Sequence, residues 1–334
     1  VPLDIDINLP PAINPFNTFE VCNNEDNTVD LIDIVPTLLV QTANVLVNFY
    51  PTNQDALDQT NVLDNNYIYQ TNNDTLFARI EFSTTHCYHI HPFTLQVNPL
   101  PIANEPNNLI ECDDDFDGFY EFDLTQQTAT ILGTQNANDF TVTYHNDINS
   151  AHDGLNDLES TYNAINGEPI YVRVENNATA CYSLTEFTTI VNPKPVVDIE
   201  DQVVCLDNLP LLVSANTNTI GDTYLWSTNE TTPEIEITDI GSYWVRVTTP
   251  NGCETTRVFS VSESEAATID ITETVDFSDP NNVTVTISGI GNYLYQLDDE
   301  TPQESNVFEN VSLGYHTITI IDLNGCAEVT KDIV

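Results

Sequence analysis

The residues best placed to do chemistry are acidic. Cys112-Asp113-Asp114-Asp115-Phe116-Asp117-Gly118 sets three carboxylates at alternate positions, and Gly118 permits the sharp turn that lets their oxygens converge. That is the opening half of an Asp-rich calcium loop, because a hard divalent cation collects oxygen ligands around a tight bend. The position of an EF-hand's bidentate Glu is held by Leu124, which rejects the helical version. A β-sandwich loop site remains, with Glu121, Asp123 or a carboxylate of the 147–157 segment to complete it. Asp113, Asp115 and Asp117 are therefore candidate calcium ligands, weighed against a solvated acidic turn. Asn23-Asn24-Glu25-Asp26, after Cys22, is a degraded version of the same loop.

Other constellations carry less. In His86-Cys87-Tyr88-His89-Ile90-His91 a strand would put Cys87, His89 and His91 on one face, a set suited to a transition metal if Cys87 were a thiolate. The bland alternative is a strand with two solvent-facing imidazoles. Tyr224, Trp226, Tyr243 and Trp244 could stack on sugar rings, but alternation splits Tyr243 from Trp244. Trp226 and Tyr243 are expected in the core, and Trp244 outward as a candidate ligand contact. Gly-x-Ser-x-Gly, His-Glu-x-x-His and phosphate-loop signatures are all missing. Abundant carboxylates make any single pair uninformative, and the expectation is a non-enzymatic protein.

Seven cysteines, at 22, 87, 112, 181, 205, 253 and 326, fall about one pair per repeat. That count predicts bridges Cys22–Cys87, Cys112–Cys181 and Cys205–Cys253, with Cys326 unpaired. No Cys-x-x-Cys spacing exists for a zinc ribbon. Bridges of this kind imply an oxidising compartment, and each would contribute roughly 4 kcal/mol through loop entropy.

The chain has 334 residues with Asp+Glu 52 against Lys+Arg 6, a net charge of −46. Such a surface repels phosphate backbones and anionic lipid, which excludes nucleic acid and electrostatic membrane docking. High salt or bound divalent cations would screen it. Hydrophobic content of 40% is enough for a core in each of several domains, and no run reaches the length of a transmembrane helix. The sequence has no Met and starts at Val1, which reads as a mature or trimmed segment of something larger.

The elements that must position these groups are strands. Helix signals are sparse, alternation is clear in Thr141–Tyr144, Ile170–Glu175 and Val283–Ile287, and turn residues punctuate each run. Two repeats are visible. Phe77-Ala-Arg-Ile-Glu81 with Cys87 and Asn98-Pro-Leu-Pro101 matches Tyr171-Val-Arg-Val-Glu175 with Cys181 and Asn192-Pro-Lys-Pro195. Gly241-Ser-Tyr-Trp-Val-Arg-Val247 with Asn251-Gly-Cys253 matches Gly314-Tyr-His-Thr-Ile-Thr-Ile320 with Asn324-Gly-Cys326. The fold class expected is all-β: tandem Ig-like β-sandwich domains in an extended array. The units expected are 1–101 (1–16 as a linker), 102–194 with the Asp-rich loop, 195–262 and 263–334. Gly241-x-Tyr243 reads as a tyrosine corner, with His316 in the corresponding place of the fourth unit.

Several spaced motifs now permit a family resemblance. Cys112-Asp-Asp-Asp-Phe-Asp-Gly-Phe-Tyr-Glu-Phe-Asp-Leu124, Phe140–His145, Ile170–Glu175 and Cys181 resemble repeats of large secreted flavobacterial proteins that carry gliding-motility-associated C-terminal regions. Gly291–Asp298, Asn306-Val-Phe308 and Ile321–Cys326 look like the stretch preceding a type B sorting domain of the type IX secretion system. The resemblance implies export, an extracellular or outer-surface location, and the secretion machinery and cell-surface components as partners. It supplies no catalytic residues, and the chain stops at Val334, where a sorting domain would begin. Asp74-Thr75-Leu76 fits a short O-glycosylation pattern known from Bacteroidota, with Thr75 as acceptor. The function expected is a stalk or adhesin segment. Alternatives are a glycan-binding module, with polysaccharide as partner, and an accessory region of a secreted hydrolase.

Overall fold

The computed structural model describes residues 9–274 and 282–334. Packed antiparallel sheets dominate it, and the chain is all-β: a tandem series of Ig-like sandwiches. It divides into two compact units, Val1–Ile110 with Phe119–Ile190, and Glu111–Gly118 with Val191–Val334.

In the first unit, the strand Asn73–Phe82 lies between Val45–Tyr50 and Tyr88–Asn98, and Thr18–Cys22 closes that sheet in parallel. Strict alternation sends Leu76, Ala78 and Ile80 to one face and Phe93, Leu95 and Val97 beside them. Ile13 and Phe16, within the segment read as linker, pack against this core. The second repeat builds the same sheet from Phe140–His145, Glu168–Asn176, Tyr182–Pro193 and Leu109–Asp113. It buries Ile170, Val172, Val174, Phe187 and Val191.

Short helices, barely signalled in the sequence, occur at matching places: Asn53–Asp58 and Ile148–Asp153. Thr52 and Asp147 cap them by accepting from the backbone N–H groups of Asp55 and Ser150. Helices of six residues, under two turns, are too short for a periodicity signal; their stability comes from the sheet they sit on.

In the second unit the sheet order is Gln202–Cys205, Glu254–Ser264, Gly241–Thr248, Thr223–Trp226, faced by Leu211–Ser214 paired with Glu234–Ile237. Trp226 is buried, donates through Nε1 to the Thr232 carbonyl and meets Phe259 edge-on. Tyr243 stacks on Phe259 and its hydroxyl donates to the Asp239 carbonyl, a tyrosine corner as expected. The last core forms between Thr268–Thr274, Asn282–Ser288 and Val307–Glu309 on one side and Tyr293–Leu297, His316–Asp322 and Val329–Ile333 on the other.

Candidate functional site: stapled junctions and the arginine clasps

The cysteines do not pair within repeats. The bridges are Cys22–Cys181, Cys112–Cys253 and Cys205–Cys326, with Cα separations of 5.5, 5.7 and 5.3 Å. The expected Cys22–Cys87, Cys112–Cys181 and Cys205–Cys253 pairs are thereby corrected. Cys326 is bonded, and Cys87 lies outside the three bridges. Each bridge joins the early cysteine of one repeat to the late cysteine of the next.

The strand register gives the physical reason. Cys22 sits opposite Asn98, at the far end of a strand that begins at Tyr88, just after Cys87. Eleven residues of extended chain separate Cys87 from Asn98, a span of roughly 36 Å, whereas a disulfide needs Cα atoms about 5–6 Å apart. The third repeat obeys the same geometry, since Cys205 faces Ser264 and Cys253 precedes Glu254. The early cysteine is thus carried to the end of its sandwich where the chain departs for the next.

The Asn-Gly-Cys turns grip the residues that lead into them. Asn251 donates through Nδ2 to the Asn192 side chain, and the Cys253 N–H is held by Thr249 Oγ1. At the last junction Ser264 Oγ donates to the buried Asp322 carboxylate, Asn324 Nδ2 donates to Ser264 Oγ, and the Cys326 N–H donates to Asp322. Gly252 and Gly325 sit at φ +87° and +84°, a left-handed conformation that suits glycine. The recurrent Asn-Gly-Cys was visible in the sequence; its grip on the preceding linker was not.

A second device escaped sequence reasoning. Arg79 and Arg173 occupy equal places in the long repeats and are both buried. Arg79 forks onto Glu81 at 2.9 and 2.7 Å, donates to the Ala56 carbonyl of its short helix, and lies 3.5 Å from the Tyr88 ring centroid. Arg173 repeats this with Glu175, the Ala151 and His152 carbonyls, and Tyr182. The signal in the sequence is scarcity: of six Lys and Arg residues in the chain, two stand at matching positions of the long repeat. Glu81 also accepts from His86, and the His86 hydrogen bond and then Arg79 hold its carboxyl below the usual range.

The Asp-rich loop brings together oxygens of Asp113, Asp115 and Asp117 within 4.8 Å of one another. That spread fits oxygens about 2.4 Å from a shared calcium. Asp113 is buried and accepts from the Phe116 and Gly118 N–H groups, while Asp115 accepts from the Asp117 N–H. Asp123 and Asp147, considered as further ligands, instead cap helical turns. In the degraded loop, Asn24 closes its own turn on Thr28.

His91 is buried against the Phe16 carbonyl and His86 is exposed in a turn, and the Cys87–His89–His91 set is not among the ligand groups found in the described residues. Trp244 points outward, 36% exposed, across from the exposed Val258. Thr75 is exposed on its strand. Its neighbour Asp74 accepts from the Gln70 and Thr71 N–H groups and from the Tyr67 hydroxyl. Burial, with the Asp74 carboxylate, pushes Tyr67 up to about 12.

Fold and site together define a class: tandem Ig-like sandwiches stapled by disulfides that run from one domain to the next. Residues 18–101 and 108–195 each match the Flavobacterium inter-domain disulphide bond domain, and the chain belongs to that family. No curated protein matches it. Solved structures similar to it include Sidekick-1 immunoglobulin domains 1–4, at 10% identity and a TM-score of 0.25 over 95% of each chain. Titin I-band fragment I67–I69 is similar at 13% identity and a TM-score of 0.33, over 77% of this chain and 99% of that one. Drosophila OTK extracellular domains 3–5 give 12% identity and 0.27, over 70% and 95%. Three disulfides are consistent with an extracellular protein. Among the described residues, no helix is long and apolar enough to cross a membrane.

Proposed function

We propose that this chain is a non-enzymatic stalk or adhesin segment of a large secreted cell-surface protein, exported by the type IX system and holding an adhesive or sorting end away from the cell. The observation that carries this reading is the overlap of the bridges. Spans 22–181, 112–253 and 205–326 interlock, so a covalent path runs from domain to domain. Such cross-linking suits a protein that bears load in an oxidising medium, and a net charge of −46 keeps neighbouring copies apart. Antibody against this segment should label intact cells expressing the parent protein. Labelling only after lysis would end the proposal.

One observation favours a glycan-binding role as the second reading: Trp244 is presented on an open sheet face beside Val258. Glycan-array binding lost in Trp244→Ala would select it. No binding in the wild-type chain leaves the stalk reading.

Calcium is the proposed cofactor at Asp113, Asp115 and Asp117. An ion bound only to the folded state stabilises it by about 2.7 kcal/mol at a hundredfold excess over its dissociation constant. Excess chelator should therefore lower the melting temperature, and Asp115→Asn should abolish that response. An unchanged melt in chelator would remove calcium from the account.

A further inference from the structure

The fourth sandwich closes its corner with a histidine where the third uses a tyrosine. Tyr243 donates to the carbonyl four residues upstream, at Asp239. His316 stands in the same relation to Ser312, its Nε2 lying 2.9 Å from that carbonyl oxygen. The other ring nitrogen, Nδ1, is 2.7 Å from Asp298 Oδ2. Neither a carbonyl nor a carboxylate oxygen can donate, so each nitrogen must carry a proton for both bonds to form. Only the imidazolium satisfies that requirement. A neutral ring leaves one nitrogen lone pair facing an oxygen lone pair, with Ser312 Oγ at 3.3 Å from Nε2 as the nearest substitute donor.

Asp298 ties this corner to the opposite turn. Its Oδ1 accepts from the Thr317 N–H at 2.8 Å, and its own N–H donates to the Thr317 carbonyl at 2.8 Å. The groups sit beside a cavity of about 580 Å³ lined by Asp298, Glu300, Glu309, Ser312 and His316, in which every other ionisable lining group is an acid. On the far side Asp332 is engaged by the Thr317 hydroxyl.

We propose that His316 and Asp298 form a pH-responsive clasp that holds the Asp298 turn and the Ser312–His316 loop together while the imidazole is charged, and releases the rim of this cavity when it is not. The clasp has no counterpart in the third sandwich, whose tyrosine hydroxyl donates across the whole physiological range. The Asp298 hydrogen bond first, then the Ser312 carbonyl and the nearby acidic charges, raise the His316 pKa above its ordinary value. The same His316 bond, followed by the Thr317 N–H, lowers that of Asp298. A raised histidine pKa stabilises fully below its unfolded value, about 6.5, and the contribution is lost as pH rises through the folded value. A depressed Asp pKa stabilises above about 3.9 and is lost as pH falls. The clasp is therefore closed in mildly acidic medium and opens on the alkaline side.

The test is NMR on the full chain. The His316 ring protons should titrate with a midpoint above about 6.5, and Asp298→Asn should lower that midpoint. Amide protection at Asp298 and Thr317, corrected for intrinsic exchange, should fall between pH ~5.5 and ~8.5. His316→Tyr should keep the corner bond and abolish the pH response. A wild-type midpoint at or below about 6.5, or protection that does not fall with pH, would overturn the proposal without any variant having to fold.

Discussion

Pulled between its ends in oxidising buffer, the unfolded chain should reach a covalent stop after a small fraction of its contour length. The bridges Cys22–Cys181 and Cys205–Cys326 short-circuit the force path, leaving chiefly the two ends and the 181–205 stretch to extend. That is about 50 residues, or roughly 190 Å, against roughly 1,150 Å for the reduced chain. The within-repeat pairing suggested by the cysteine count would instead stop at roughly 530 Å. The third bridge gives redundancy. With Cys22→Ser and Cys181→Ser, force reroutes through Cys112–Cys253 and the stop lengthens by roughly 400 Å. Single-molecule force spectroscopy with and without reductant reads these lengths directly. A stop near 530 Å, or lengths unaffected by reductant, would contradict the stapled register. The bridge also removes denatured-state entropy: a loop spanning 159 residues corresponds to about 5 kcal/mol in the loop-entropy account.

The second large effect is expected at Arg79. Its side chain and that of Glu81 are 5% and 13% exposed, so truncation leaves a half-buried carboxylate with only the exposed His86 as partner and orphans the buried Ala56 carbonyl. Arg79→Ala should cost the first sandwich about 3–5 kcal/mol, read as a fall in denaturant midpoint. Arg79→Lys should recover less than half, because an ammonium cannot fork onto Glu81 and lie flat on Tyr88 together. Arg173→Ala should cost less, since Glu175 is 35% exposed and water can serve it. A loss below about 1 kcal/mol for Arg79→Ala would show the clasp to be incidental.

Much of the site was legible as motif and illegible as partnership. The Asp-x-Asp-x-Asp-Gly run announced its convergence because alternate residues around a glycine turn are local neighbours. Asp123 and Asp147 looked equally available, yet each is spent on a helical turn that no periodicity disclosed. The histidine run differs for the opposite reason: nearness in sequence did not become a shared ligand set, and the alternative of two solvent-facing imidazoles fails at His91, which turns inward to Phe16.

By itself the sequence determined what depends on neighbours along the chain. Alternation set the strands, the inward Trp226 and the outward Trp244, because side chains switch faces at every residue. Repetition set the Asn-Gly-Cys turns and the corner positions Tyr243 and His316. Tertiary structure decided what depends on distance through space. Cys22 and Cys87 belong to one repeat, but a strand of eleven residues holds them apart, while Cys181 comes within bonding range from 159 residues away. A count of cysteines per repeat cannot see that separation. The direction of the strand beside them settles it.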